Sequence, residues 1–192
     1  MRITSLVAMC VMALAATSIV SAQMGGQMGS MKGTKMVGGA EMFPSKNIIE
    51  NAVNSKDHTT LVVAIKAAGL VDTLSGAGPF TVFAPTNEAF AKLPAGTVDT
   101  LVKPESKATL TKILTYHVVA GNFDAKAVAK MIADGKGKAE IKTVQGGKLV
   151  ASMKGTDLIL TDAKGGMAKV TIADVHQSNG VIHVIDTVLM PS

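Results

Sequence analysis

The feature that most constrains this chain is a change of pattern near Gly137. Before it, apolar residues recur at helical spacing behind residues that cap helices; after it come short alternating runs separated by glycine pairs. Asn47 and Glu50 have the spacing of a capping box ahead of Ile48, Ile49, Ala52 and Val53. Asp57 precedes a second helical face of Leu61, Val62, Ile65 and Ala68, which Gly69 stops. Pro104-Glu105 opens a helix over Leu110, Ile113 and Leu114, and Asp124 opens one over Val128, Met131 and Ile132. Two strands interrupt these helices, Phe80–Ala84 and Tyr116–Val119. Later strands are expected at Ala139–Val144, Lys148–Met153, Asp157–Thr161, Ala168–Ala173 and Val181–Val188, with turns at Gly146-Gly147, Gly155, Gly165-Gly166 and Asn179-Gly180. Helices gather in the first half and strands in the second, so the fold class is α+β.

The N-terminus carries a different signal. Arg2 precedes an uncharged apolar run from Leu6 to Val20, and Val20-Ser21-Ala22 has small residues where a signal peptidase reads. Residues 1–22 are expected to be a signal peptide cut after Ala22, giving a secreted or periplasmic protein. The run is about 15 residues, short of the roughly 20 of a spanning helix, so no stable membrane anchor is expected. Cys10 is the chain's one cysteine and follows Met9, not the small residue a lipid-anchor site needs. The mature domain therefore has no disulfide available and must hold together by its core. Residues 23–43, rich in Met and Gly, read as a flexible linker, with the domain occupying 44–192.

The net charge of +5 is mild and spread over lysines, densest at Lys136, Lys138 and Lys142, and aromatic residues are scarce. With little to stack on bases, nucleic acid is not an expected partner, while attraction to anionic surface polymers is compatible with the balance. The chain has no Gly-x-Ser-x-Gly elbow, phosphate loop or dinucleotide fingerprint, so neither an enzyme nor a cofactor is expected. Of the four histidines, His58 in Lys56-Asp57-His58-Thr59 reads as solvated, His117 as a core residue, and His176 and His183 as flanking a turn, with His183 structural. Met24, Met28, Met31 and Met36 are thioethers in a Gly-rich tract, a donor set suited to a soft metal such as Cu(I); compositional bias in a linker is the plainer reading.

Three segments together resemble the fasciclin domain family. They are Gly78-Pro79-Phe80-Thr81-Val82-Phe83-Ala84-Pro85-Thr86-Asn87-Glu88-Ala89-Phe90, then Tyr116-His117-Val118-Val119, then Asn179-Gly180-Val181-Ile182-His183-Val184-Ile185-Asp186. The resemblance spans roughly residues 44–190. It implies a wedge of two β-sheets packed with helices, and a non-enzymatic adhesion or interaction module, monomeric here, whose partner is an extracellular or envelope protein or glycan. It also implies Tyr116 and His117 as partner-binding residues. The alternative function is soft-metal binding through the methionine tract.

Overall fold

The structure is a computed structural model, and it describes residues 33–191. Two antiparallel strands come first, β1 (Lys35–Val37) and β2 (Ala40–Met42), joined by Gly38-Gly39. Both turn glycines have positive φ, 58° and 74°, as a two-residue hairpin turn of this hand requires. Helices α1 (Ile48–Ala52), α2 (Thr59–Ala68) and α3 (Val71–Ser75) follow, then β3 (Phe80–Pro85), α4 (Asn87–Ala91), α5 (Thr97–Leu101), α6 (Lys107–Tyr116), β4 (Val118–Ala120) and α7 (Ala125–Asp134). The rest is strand: β5 (Lys138–Lys142), β6 (Lys148–Lys154), β7 (Asp157–Thr161), β8 (Met167–Gln177) and β9 (Gly180–Ile185).

The seven later strands run in the order β4-β3-β9-β8-β7-β6-β5. Only β3 and β9 pair in parallel. β3 is buried from Thr81 to Pro85, which explains its unbroken apolar run. β8 is the joint between two sheets. Its first residues pair with β7, its last with β9, and the register shifts between Val170 and Val175, where Asp174 takes a φ of 56°. Bulges of this kind bend a strand. Here the bend divides the order into two sheets sharing β8, which is the expected α+β wedge.

Each sheet has its own core. One gathers α1, α2 and α6 on β3 and β9 through Ile48, Leu61, Ile65, Ile113, Val82 and Ile182. The other lies between α7 and β5–β8, with Val128 and Ile132 against Ile141, Leu149 and Leu160.

The linker expectation needs correction. Of residues 23–43, those from Gly33 onward are described, and they form a hairpin whose Val37 and Met42 belong to the first core. Met/Gly composition hid an alternation of only three residues per strand. Residues 23–32 and the expected signal peptide lie outside the described residues. Met42 is 2 % exposed, so Met42→Ala is expected to cost about 2–4 kcal/mol, as deletions of buried methylenes do. A denaturant midpoint unchanged by that substitution would return the hairpin to the status of a linker.

Local signals account for several helix ends. Asn47 and Glu50 form the complete capping box, each side chain accepting from the other's backbone N–H at 2.9 Å. Asp124 caps α7 by accepting from Ala127 N at 2.7 Å, and Gly69 ends α2 with φ 73°. Asp57 does not cap α2. It sits inside a 3-10 turn, Lys56–His58, that leads directly into the helix.

Candidate interaction surface and the buried motif residues

The Tyr-His pair lies at a helix end, not in the strand expected at 116–119. Tyr116 is the last residue of α6 and His117 its C-cap; β4 begins at Val118. The helical spacing of Leu110, Ile113 and Leu114 carries on to Tyr116 and turns its ring inward. Tyr116 is 1 % and His117 3 % exposed. The Tyr116 hydroxyl donates to Lys148 O at 2.7 Å and accepts from Ala163 N at 3.1 Å. His117 Nδ1 donates to Ile113 O at 2.8 Å and Nε2 accepts from Leu189 N at 3.0 Å. That pattern assigns the neutral imidazole with its proton on Nδ1. Burial drives its pKa down to about 4, against weaker upward pulls from Ile113 O and Asp162. The pair therefore ties α6 to the β6 strand and the C-terminal segment, and a partner reaching either ring would first have to open this packing.

His183 is also internal, as expected. It is enclosed in β9, stacks on Phe83 at 5.6 Å, and donates from Nε2 to Phe123 O at 2.7 Å. Burial lowers its pKa, the main opposing pull being the Phe123 carbonyl.

His58 departs from expectation. It is 3 % exposed, although its sequence neighbours are polar. The 3-10 turn sends Lys56 and Asp57 outward and rotates His58 against the first core. Its Nδ1 lies 2.8 Å from Ser55 Oγ, itself buried. Burial lowers its pKa, and Asp57 and the nearby Ala84 backbone pull it partly back.

Two further residues hold the frame, and only one aspect of them was visible in the sequence. Asn179-Gly180 forms the expected turn. Asn179 is also a hub: its Oδ1 accepts from Ile48 N at 3.1 Å, and its Nδ2 donates to Leu74 O at 2.8 Å and Gly76 O at 3.0 Å. Asp162 accepts from Lys164 N and Gly166 N on Oδ1 and from Met190 N on Oδ2, joining the β7–β8 turn to the C-terminus.

What the molecule offers outward is the second sheet's other face. α7 covers one side of β5–β8, and the opposite side carries Lys138, Glu140, Lys142, Lys148, Val150, Ile159, Met167 and Lys169, none of them buried. Register places them together: Glu140 opposite Val150, Lys142 opposite Lys148, and Ile159 opposite Lys169. At the centre Val150 and Ile159 alternate with Ser152 and Thr161, and the margin is basic. Lys148 pairs with Glu140 at 2.7 Å and Lys169 with Asp157 at 2.8 Å, while Lys138 and Lys142 form no ion pair among the described residues. Lysines on β5, an edge strand, also discourage pairing with another chain's strand.

Among the described residues no group of three or more His, Cys, Asp or Glu side chains could hold a metal, and no helix is long and apolar enough to cross a membrane. Of the candidate thioether ligands, Met24, Met28 and Met31 lie outside the described residues. Met36 is 59 % exposed on β1.

The fasciclin domain model matches residues 56–191. The chain belongs to the fasciclin domain family. Protein sll1483 of Synechocystis is 42 % identical over 192 residues, covering 99 % of this chain and 96 % of that one. Immunogenic protein MPB70 of Mycobacterium bovis is 39 % identical over 145 residues, 73 % of this chain and 66 % of that one. Cell surface glycolipoprotein MPB83 of the same species is 43 % identical over 122 residues, 64 % of this chain and 48 % of that one. The FAS1 domain pair of the insect cell adhesion molecule fasciclin I superposes with a TM-score of 0.53 at 24 % identity, covering 68 % of this chain and 43 % of that one. That likeness speaks to the fold.

Proposed function

We propose that this fasciclin domain is a non-enzymatic, exported interaction module that engages an anionic polymer or acidic protein surface of the cell envelope through the open face of β5–β8. The observation that carries this is the face itself: four strands that no helix covers among the described residues, with lysines around Val150, Ile159 and Met167. A buried-site chemistry has less support, because the family's signature residues Tyr116, His117 and His183 are enclosed and hydrogen-bonded internally. Export is supported by the N-terminal sequence and by the surface location in the name of the MPB83 relative. Lysines at a sheet margin attract a polyanion over about a Debye length, roughly 8–10 Å at ordinary salt, and Val150 and Ile159 add contact while Ser152 and Thr161 offer hydroxyl groups for hydrogen bonds.

The test is binding of the mature protein to immobilised dextran sulfate, with neutral dextran as control. Lys138→Glu, Lys142→Glu and Lys148→Glu together are expected to lower affinity at least about tenfold, with a shallower salt dependence. Equal binding by this variant and the parent would exclude the face as the contact surface.

A further inference from the structure

Three loops meet at one end of the first sheet, where β3 and β9 start side by side. They are residues 76–79 before β3, Asn122 just past β4, and the β8–β9 turn at 178–179. Between them lies a recess of about 400 Å3, within the roughly 300–1,000 Å3 of small-molecule sites. Its floor is bare backbone. A Cβ on Gly78 would lie 2.0 Å from Asn179 O, and one on Gly180 1.9 Å from Phe80 O, so the close approach of the two segments keeps side chains out of it. Asn179 fixes the frame, its side-chain amide being taken up by Ile48 N, Leu74 O and Gly76 O. The recess is therefore formed before any ligand arrives.

The rim is different. Alternation at the end of β8 turns Gln177 inward and leaves His176 and Ser178 exposed, and Asn122 is exposed across from them. The side chains of Asn122, His176 and Ser178 form no hydrogen bond or ion pair among the described residues. Together they supply a carboxamide, an imidazole and a hydroxyl. Beside them Ala77 and Pro79 are exposed and apolar, and the wall holds no Lys, Arg, Asp or Glu. A charged ligand finds no countercharge here. A wholly apolar one would cover three polar groups and leave them unmatched. The chemistry that answers both conditions is neutral and rich in hydroxyls, with an amide and a small apolar group.

We propose that this recess binds an uncharged N-acetylated sugar residue. Its acetamido methyl lies against Ala77 and Pro79, and its hydroxyls and amide meet Asn122, His176 and Ser178. The site shares no residue with the open face of β5–β8, so the two contacts are independent.

The experiment titrates the full mature protein with N,N′-diacetylchitobiose and follows backbone amides and the Asn122 side-chain amide by 1H–15N correlation. The expected result is saturable binding with a millimolar Kd, with shifts at residues 77–79, Asn122 and 176–180 and none on β5–β7. Cellobiose has the same linked rings without acetamido groups and is expected to bind at least about fivefold more weakly. Asn122→Ala and Ser178→Ala, both at exposed positions, are each expected to weaken binding of the acetylated disaccharide at least about fivefold. Absence of saturation, shifts centred outside the recess, equal affinity for cellobiose, or unchanged affinity in either variant would overturn the proposal. Should a variant fail to fold, the shift map of the parent protein and the comparison with cellobiose decide.

Discussion

Gly180→Ala is expected to destabilise the domain by about 3 kcal/mol or more, at the upper end of what overpacking costs. A Cβ at position 180 would lie 1.9 Å from Phe80 O and 2.8 Å from its carbonyl carbon. Neither partner can move aside. Phe80 is held from its own nitrogen by Asn179 O at 3.0 Å, and the preceding Pro79 O accepts from Gly121 N at 2.9 Å. On the other side Gly78 is equally close, since a Cβ there would lie 2.0 Å from Asn179 O. Relief therefore means separating β3 from β9, the pairing on which the first core is built. Gly155→Ala is the matched control: Gly155 has a φ of 65° but nothing within 4 Å of an added Cβ, so only the left-handed backbone penalty of about 1 kcal/mol applies. Denaturant melts of both variants separate contact from conformation. Equal losses would mean that the approach of the two strands is not what fixes glycine at 180.

The same position shows where the sequence was readable. Asn179-Gly180 could be recognised as a turn because a turn is a local property, and so could the caps at Asn47, Gly69 and Asp124. That the glycine also admits β3, and that Asn179 reaches the first turn of α1 and the end of α3, depends on chain segments about 100 residues away. No local pattern carries that. The strand expected at 116–119 starts two residues later for a related reason: Tyr116-His117-Val118-Val119 is apolar and β-rich in composition, but the helical face begun at Leu110 continues to Tyr116, and β4 begins only at Val118. β8 runs on to Gln177, past the expected end at Ala173, because its bulges interrupt the alternation that marks a strand. The hairpin at 35–42 has too few residues to show a period, and its burial comes from the core it covers. His58 does not share the exposure of its polar neighbours, because the 3-10 turn points Lys56 and Asp57 outward and His58 inward. The open sheet face is the reverse case: Lys138, Glu140 and Lys142 alternate visibly with Ala139 and Ile141, yet only the strand order shows that four such faces align.

His117→Ala is expected to cost about 3 kcal/mol at neutral pH, since it leaves the buried Leu189 N–H without an acceptor and opens a cavity beside Tyr116. The size of this effect depends on pH in a direction the protonation states fix. The folded-state pKa is about 4, below the ordinary 6.5, so between those values the unfolded chain binds the proton and the folded one does not. Stability from the neutral ring is complete above pH 6.5 and falls as pH drops toward 4, by a total on the order of 3 kcal/mol. Below about 4 the folded ring titrates too and the loss levels off. His58 and His183 are shifted downward for the same dominant reason, burial, so the parent protein should weaken across this window, before most carboxylates titrate. Asp186 works in a lower range. Partial burial raises its pKa, but bonds from Lys169 N and Thr187 and the charge of Lys92 outweigh that and hold it below 3.8, so its contribution fades only as pH falls under that value. Urea melts of the parent and His117→Ala at pH 7, 5.5 and 4.5 provide the measurement, with the gap between them widest at pH 7 and narrowing in acid. A gap that stays constant, or a His117 ring that titrates near 6.5 in the folded protein, would show that the imidazole is solvated and would restore the Tyr116-His117 pair as a contact for partners.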